Sequence, residues 1–295
     1  MILVTGGTGF VGKALIRHLV EAGYPVRTLL RPSAKSPDLP HGVPLDIAVS
    51  SIHDERGLRA AMVGVDTIFH LASAEWRGPR ASLMDIDIRG TRTVIQAAKS
   101  AAVDRIYYLS HLGADRASAY PVQKAKAIAE EFIRRSGLDY TILRTAILFG
   151  PNDGFTTGLA RILKSFPFVF LCPGDGSVLL QPLWIEDLVT CLTWTIDDPE
   201  TRNRIIAIGG PEYLSFRKIL DLVIEKIGSR KLILNVPSPY MRILTVLIES
   251  LYPKLPVSVY WLDYLAVNRT TAIDTMPRIF NIMPSRMSQR LAYLR

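Results

Sequence analysis

The chain opens with Met1-Ile-Leu-Val4 and runs directly into Thr5-Gly6-Gly7-Thr8-Gly9-Phe10-Val11-Gly12, the stretch that most constrains its fold. The four leading residues are an apolar run rich in β-formers, while Leu15, Ile16, Leu19 and Val20 recur at helical spacing before Gly23. A strand therefore gives way to a helix across three spaced glycines. Gly6 suits a tight turn, Gly9 lets the backbone approach an anion, and Gly12 lets the helix pack closely on the strand. Free N–H groups and partial positive charge at the helix start favour a pyrophosphate there. Thr5, Gly6, Gly7, Thr8, Gly9, Phe10, Val11 and Gly12 are accordingly read as a dinucleotide-binding loop.

Composition narrows the partners. The 295 residues are enough to bury a substantial core as one large domain or two joined ones. A net charge of +8 favours an anionic partner, be it a nucleotide, a membrane surface or a nucleic acid. The basic residues are scattered and not interleaved with aromatics, so no nucleic-acid partner is expected. Cys172 and Cys191 lie too far apart for a Cys-x-x-Cys pair and imply a reduced, cytoplasmic protein. The leading apolar run is too short for a secretory signal, and no run reaches the ~20 residues of a spanning helix. Peripheral membrane contact stays open, because 48% of the residues are hydrophobic.

Tyr24 to Leu30 reads as the second strand and ends in Arg31-Pro-Ser-Ala-Lys35. A site preferring NAD(H) places an acidic residue there for the ribose 2′-hydroxyl. The guanidinium of Arg31 instead matches a 2′-phosphate and Lys35 adds charge, so NADP(H) is expected over NAD(H). Arg31 as a plain surface residue at the sheet edge is the competing reading. A third strand (43–51), a short helix (55–62) and a fourth strand (65–72) follow. None of the five histidines has a recognised metal spacing, and no metal site is expected. A helix over 85–101 precedes a strand at 105–109. Beyond it, Tyr120 and Lys124 stand four residues apart ahead of a helical stretch, which puts both on one face. A nearby ammonium lowers a tyrosine pKa from its usual ~10, fitting the pair for proton transfer to a carbonyl oxygen.

The glycine spacing preceded by Thr-Gly, the Phe69-His-Leu-Ala72 strand end, and Tyr120-x-x-x-Lys124 placed ten residues beyond Ser110 together resemble the short-chain dehydrogenase/reductase superfamily. The likeness is to its extended, epimerase/dehydratase-like and atypical branches, near NmrA-like proteins and the nucleotide-binding accessory subunit of respiratory complex I. It implies that Leu71 and Ala72 pack against the cofactor. It also implies adenine contact at Ser51 and Ile52, where the family has Gly-Asp-Leu. Tyr120 would be the acid/base, with Lys124 tuning it and holding the nicotinamide ribose. Either Ser110 or His111 would polarise the substrate oxygen, since Ser110-His111 replaces a pair of hydroxyl residues. Asp87 stands where the family usually has Asn, and Leu143-Arg144-Thr145 where it usually has Leu-Arg-Pro.

The expected architecture is a doubly wound, Rossmann-type α/β fold built on a parallel sheet, with a smaller, mainly helical C-terminal lobe. Residues 1–150 would form the dinucleotide-binding domain, and 151–295 a substrate or interaction lobe with segments returning to the sheet. Two functions follow. One is an NADP(H)-dependent oxidoreductase acting on an apolar small-molecule carbonyl or alcohol. The other is a non-catalytic NADPH-binding accessory or redox-sensing protein that docks on a complex or a membrane. A nucleotide-sugar epimerase or dehydratase is less expected, because the C-terminal lobe shows no basic and polar cluster for a diphosphate. The segment 239–251, apolar around most of its circumference, is read as a helix buried against the lobe, with a lipid- or substrate-facing surface as the alternative.

Overall fold

The computed structural model describes residues 1–75, 82–166, 168–251 and 258–294. In chain order the first elements are β1 (Ile2–Thr5), α1 (Phe10–Glu21), β2 (Val26–Leu30), β3 (Asp46–Val49), α2 (Glu55–Ala61) and β4 (Thr67–His70). There follow α3 (Thr91–Ser100), β5 (Arg105–His111), α4 (Pro121–Arg134), β6 (Asp139–Thr145), β7 (Leu148–Phe149) and α5 (Thr156–Ser165). Next come β8 (Val169–Pro173), β9 (Leu179–Leu180), β10 (Leu183–Trp184), α6 (Ile185–Asp197), β11 (Arg204–Ile208), β12 (Leu214–Ser215) and α7 (Phe216–Lys226). The chain ends with β13 (Leu232–Val236), α8 (Ser238–Leu251), α9 (Val259–Tyr264), α10 (Thr275–Phe280) and α11 (Met287–Arg290).

Two compact units result: Met1–Thr145 with Leu188–Ala207, and Ala146–Asp187 with Ile208–Arg295. The first unit is organised by a seven-stranded sheet in the order β11-β6-β5-β4-β1-β2-β3. Strands β1 to β6 pair in parallel along this order, as alternating strands and helices require. The chain winds outward from β1 through β2 to β3, then crosses to β4 and winds the other way. The direction of winding therefore reverses between β1 and β4, and the crevice outside their C-terminal ends is where such sheets bind ligands.

The central strands read as apolar because both faces are covered. Leu3, Ile68, Ile106 and Ile142 lie in one core with Leu58 of α2, Val94 and Ala98 of α3, and Ile133 of α4. Burial of each such side chain contributes roughly 1.5–3 kcal/mol. Strand β3 is an edge strand with three of its four residues exposed, which accounts for its weak pattern in the sequence. The helix expected over 85–101 is divided. Met84–Gly90 forms a wider π-helical turn before α3, and the hydroxyl of Thr91 donates to the carbonyl of Asp87 at 2.6 Å across the junction.

The second unit has its own core, in which α5 (Leu159, Leu163), β8 (Phe170) and α7 (Ile219, Leu220, Val223) meet Leu291 and Leu294. The burial favoured for 239–251 does not hold. Along α8 only Thr245 is buried, because the side turned to α9 is the polar one. No helix among the described residues is long and apolar enough to cross a membrane.

Candidate cofactor site

The loop after β1 can be built only from glycine at two points. Gly6 has φ +76°, and a Cβ there would lie 2.7 Å from the Leu71 carbonyl carbon and 2.8 Å from the Ala72 nitrogen. Leu71 and Ala72 follow β4, so the turn rests against the backbone at the sheet's reversal point. A Cβ on Gly12 would meet the Gly6 carbonyl oxygen and come within 2.8 Å of Gly7 Cα. With these side chains absent, the Gly9 amide closes the turn on the Gly6 carbonyl at 2.9 Å and α1 starts at Phe10. Thr8 and Gly9 are exposed at the tip, while Phe10 and Val11 are half-buried. Helix α1 has no acidic residue in its first turn and no side-chain cap, which leaves its N–H groups for an anion. This cradle fits a dinucleotide pyrophosphate.

Beneath the loop, Thr5 is tied into the sheet. Its hydroxyl lies 2.8 Å from Nδ1 of His70, and Nε2 of His70 lies 2.9 Å from the hydroxyl of Thr91. His70 is fully buried, and burial, aided by the charge of Lys126, pushes its pKa down to about 3. The ring is therefore neutral, joining the ends of β1 and β4 to the start of α3. Across β2, Arg31 and Lys35 are exposed just beyond Leu30. Ser51 and Ile52 are half-buried after β3, and the Ser51 hydroxyl accepts from the His53 amide at 3.3 Å.

The other half of the crevice holds a charged cluster. Lys126 of α4 is 4% exposed and donates to the Leu109 carbonyl at 3.3 Å. Its ammonium lies 3.5 Å from a carboxylate oxygen of Glu75 and 3.5 Å from one of Asp87. Asp87 also accepts from the Ser73 hydroxyl at 2.6 Å and the Ala74 amide at 3.0 Å. Nε2 of His111, at the end of β5, lies 2.6 Å from Glu75. Burial works against the charges of Glu75 and Lys126. At Glu75 it is outweighed by His111 and Lys126, which hold the carboxyl well below its ordinary range. At Lys126 it is outweighed by Tyr108, Glu75 and Asp87, which raise the ammonium's pKa. Ser110 is buried, and its hydroxyl has no partner among the described residues.

The Tyr-x-x-x-Lys reading needs correction at its lysine. Lys124 is exposed, and the lysine carried to the carboxylates is Lys126. Two residues along an α-helix are a rotation of about 200°, so the two lysines occupy opposite faces of α4. Tyr120 is the half-buried N-cap of α4; its amide donates to the Ser118 hydroxyl at 3.1 Å. Its own hydroxyl has no hydrogen bond to Lys126, Glu75 or His111 among the described residues. One turn before Lys126 stands Val122. The signal overlooked in the sequence is the stripe Lys126, Ala129, Glu130, Ile133, all buried at i, i+3, i+4 and i+7. Glu130 on that stripe pairs with Arg144 through two hydrogen bonds of 2.9 and 2.6 Å. Glu75 carries no local motif.

Comparison with known proteins bears on this geometry. A family model described as NAD(P)H-binding matches residues 6–168. The mitochondrial NADH dehydrogenase (ubiquinone) 1 alpha subcomplex subunit 9 of Arabidopsis thaliana is 24% identical over 262 residues, covering 86% of this chain and 64% of that protein. The photosystem II assembly factor Ycf39 of Cyanophora paradoxa is 26% identical over 246 residues, 82% of this chain and 73% of that one. The chain thus spans less than two thirds of the length of the Arabidopsis relative. Among solved structures, a Thermus thermophilus UDP-glucose 4-epimerase in complex with NAD matches with a TM-score of 0.73 at 19% identity, over 99% of this chain and 97% of that one.

Proposed function

The chain belongs to the NAD(P)H-binding family, of short-chain dehydrogenase/reductase type, and from that membership we propose that it is an NADP(H)-holding accessory or redox-sensing protein. In this reading Thr5 to Gly12 hold the pyrophosphate, Arg31 and Lys35 the 2′-phosphate, and Ser51 and Ile52 the adenine side. The nicotinamide would supply hydride chemistry when bound. The protein itself would act by docking, loaded with cofactor, on a larger assembly or a membrane. One observation carries the reading: the buried lysine of the crevice, Lys126, has Val122 and not a tyrosine one turn before it, and its charge is engaged by Glu75 and Asp87. A valine cannot pass a proton. The relatives named as a complex I subunit and a photosystem assembly factor support the same reading.

The 2.6 Å contact of His111 Nε2 with Glu75 favours a second reading, an oxidoreductase for an apolar carbonyl or alcohol in which His111 replaces tyrosine as the acid.

Titration with NADPH, followed by a screen for its oxidation by apolar aldehydes, ketones and quinones, separates the two. Saturable binding without turnover, unchanged in Tyr120→Phe and His111→Gln, is expected. Turnover that falls by the ~10²–10⁴ of a lost general acid in His111→Gln establishes the second reading. The same fall in Tyr120→Phe restores tyrosine as the proton donor and overturns both.

A further inference from the structure

Helix α8 in the second unit is turned inside out. Its only charged residues are Arg242 and Glu249. Arg242 donates to Asp263 of α9 at 2.7 Å, and Glu249 accepts from the Val259 amide at 3.5 Å. With buried Thr245, these residues lie within about 60° of one another around the helix, at roughly 100° per residue. On the opposite side stand Tyr240, Ile243, Leu247 and Leu251, at i, i+3, i+7 and i+11. They are 68%, 62%, 54% and 70% exposed. Val246, 48% exposed, and half-buried Leu244 widen this apolar arc to about 160°. An amphipathic helix ordinarily buries its apolar face and wets its polar one. Here the polar face is anchored to the protein and the apolar face is presented outward.

We propose that this arc is a docking surface for a membrane carrying anionic lipid. This names the partner for the docking half of the reading above, and rests on it. The width of the arc argues for lipid. A seam built for a partner helix is narrow and is flanked by charges that set pairing and register. This arc is broad: half-buried Ile248 and Met241 continue it on one side, and Arg242, already paired with Asp263, borders it on the other. The charge of the segment that leads into α8 is complementary to anionic headgroups. Along the chain leading into the arc stand Lys226, Arg230 and Lys231, with no acid between residues 226 and 248. Such charges near a bilayer attract anionic lipid, and a tyrosine at one end of the arc suits the headgroup boundary. Apolar side chains inserted to the depth of one helix face add the remaining affinity.

The test is co-sedimentation of the full chain with phosphatidylcholine vesicles and with vesicles that also contain phosphatidylglycerol, for the native protein and for Ile243→Glu/Leu247→Glu. Both substituted positions are exposed, and NADPH affinity, expected unchanged, reports that the first unit is intact. The bound fraction should be at least fivefold higher on the anionic vesicles and should drop at least tenfold in the double variant. The proposal is overturned by no binding to either vesicle, or by binding that the double variant leaves unaltered. It is equally overturned by a concentration-dependent dimer that the variant dissolves in the absence of vesicle binding, which would make a second copy the occupant. Because cofactor binding is measured separately, a failure of docking is distinguishable from a failure of the NADP(H) assignment.

Discussion

Nε2 of His111 lies 2.6 Å from Oε2 of Glu75, and that same oxygen lies 3.5 Å from Nζ of Lys126. One carboxylate thus joins the end of β5 to the buried face of α4. Asp87 completes the arrangement from the π-helical turn, and Lys126 is the cation between buried Asp87 and half-buried Glu75.

Removing that cation leaves Glu75 and Asp87 without the positive charge that lies between them. Lys126→Met is expected to cost about 3 kcal/mol, the range seen when one partner of a buried ion pair is lost. Lys124→Met, on the exposed face of the same helix, should change stability by no more than about 0.5 kcal/mol. Urea titration of both variants checks this. Equal effects would remove the distinction between the two faces of α4.

His70 makes stability depend on pH. Its folded pKa is about 3 against an ordinary 6.5, so below pH 6.5 the unfolded chain binds a proton that the folded chain refuses. Stability should therefore fall as pH drops from 6.5 toward 3, by up to about 1.4 kcal/mol per unit, with no contribution above 6.5. His70→Gln keeps a donor and an acceptor but does not titrate. Urea midpoints at a series of pH values should show a shallower acid-side decline in the variant, and an identical slope would contradict the assignment.

Gly12→Ala places a methyl group against the Gly6 carbonyl oxygen, a backbone atom that cannot swing aside. The glycine turn must open to admit it. Calorimetric titration with NADPH should show affinity reduced at least tenfold, equivalent to about 1.4 kcal/mol, and retained affinity would mean that the cradle is not the pyrophosphate site.

Arg31 stands at the end of β2 with no acidic neighbour in sequence. NADPH should bind at least tenfold more tightly than NADH, again about 1.4 kcal/mol, and Arg31→Ala should erase most of the difference. Fluorescence titration with the two cofactors decides between this role and a plain surface arginine.

The stretch from Met1 to Gly23 was legible by itself, because strand, turn and helix are contiguous there and each residue's task is set by its near neighbours. The parallel sheet was legible for a related reason: alternating apolar strands and helices leave few ways to cover both faces. The charged cluster was not. Glu75, Asp87, His111 and Lys126 come from four separate segments, and only the folded sheet brings them together. Glu75 is 36 residues from His111 in the chain and in hydrogen-bond contact with it.

Lys124 and Lys126 show the same limit within one helix. Only Lys124 fits the Tyr-x-x-x-Lys spacing, and what brings Lys126 to the cluster instead is which face of α4 packs against β5. That is set by Ala129, Glu130 and Ile133 on the buried stripe and by the pairing of Glu130 with Arg144. In α8 the sequence determined a helix apolar around most of its circumference, with Arg242 and Glu249 thinly spread on it. Which side faces inward was decided by tertiary contact, because Asp263 and the Val259 amide of α9 engage Arg242 and Glu249. Periodicity determines that a helix has two faces; only the partner packed against it decides which of them meets water.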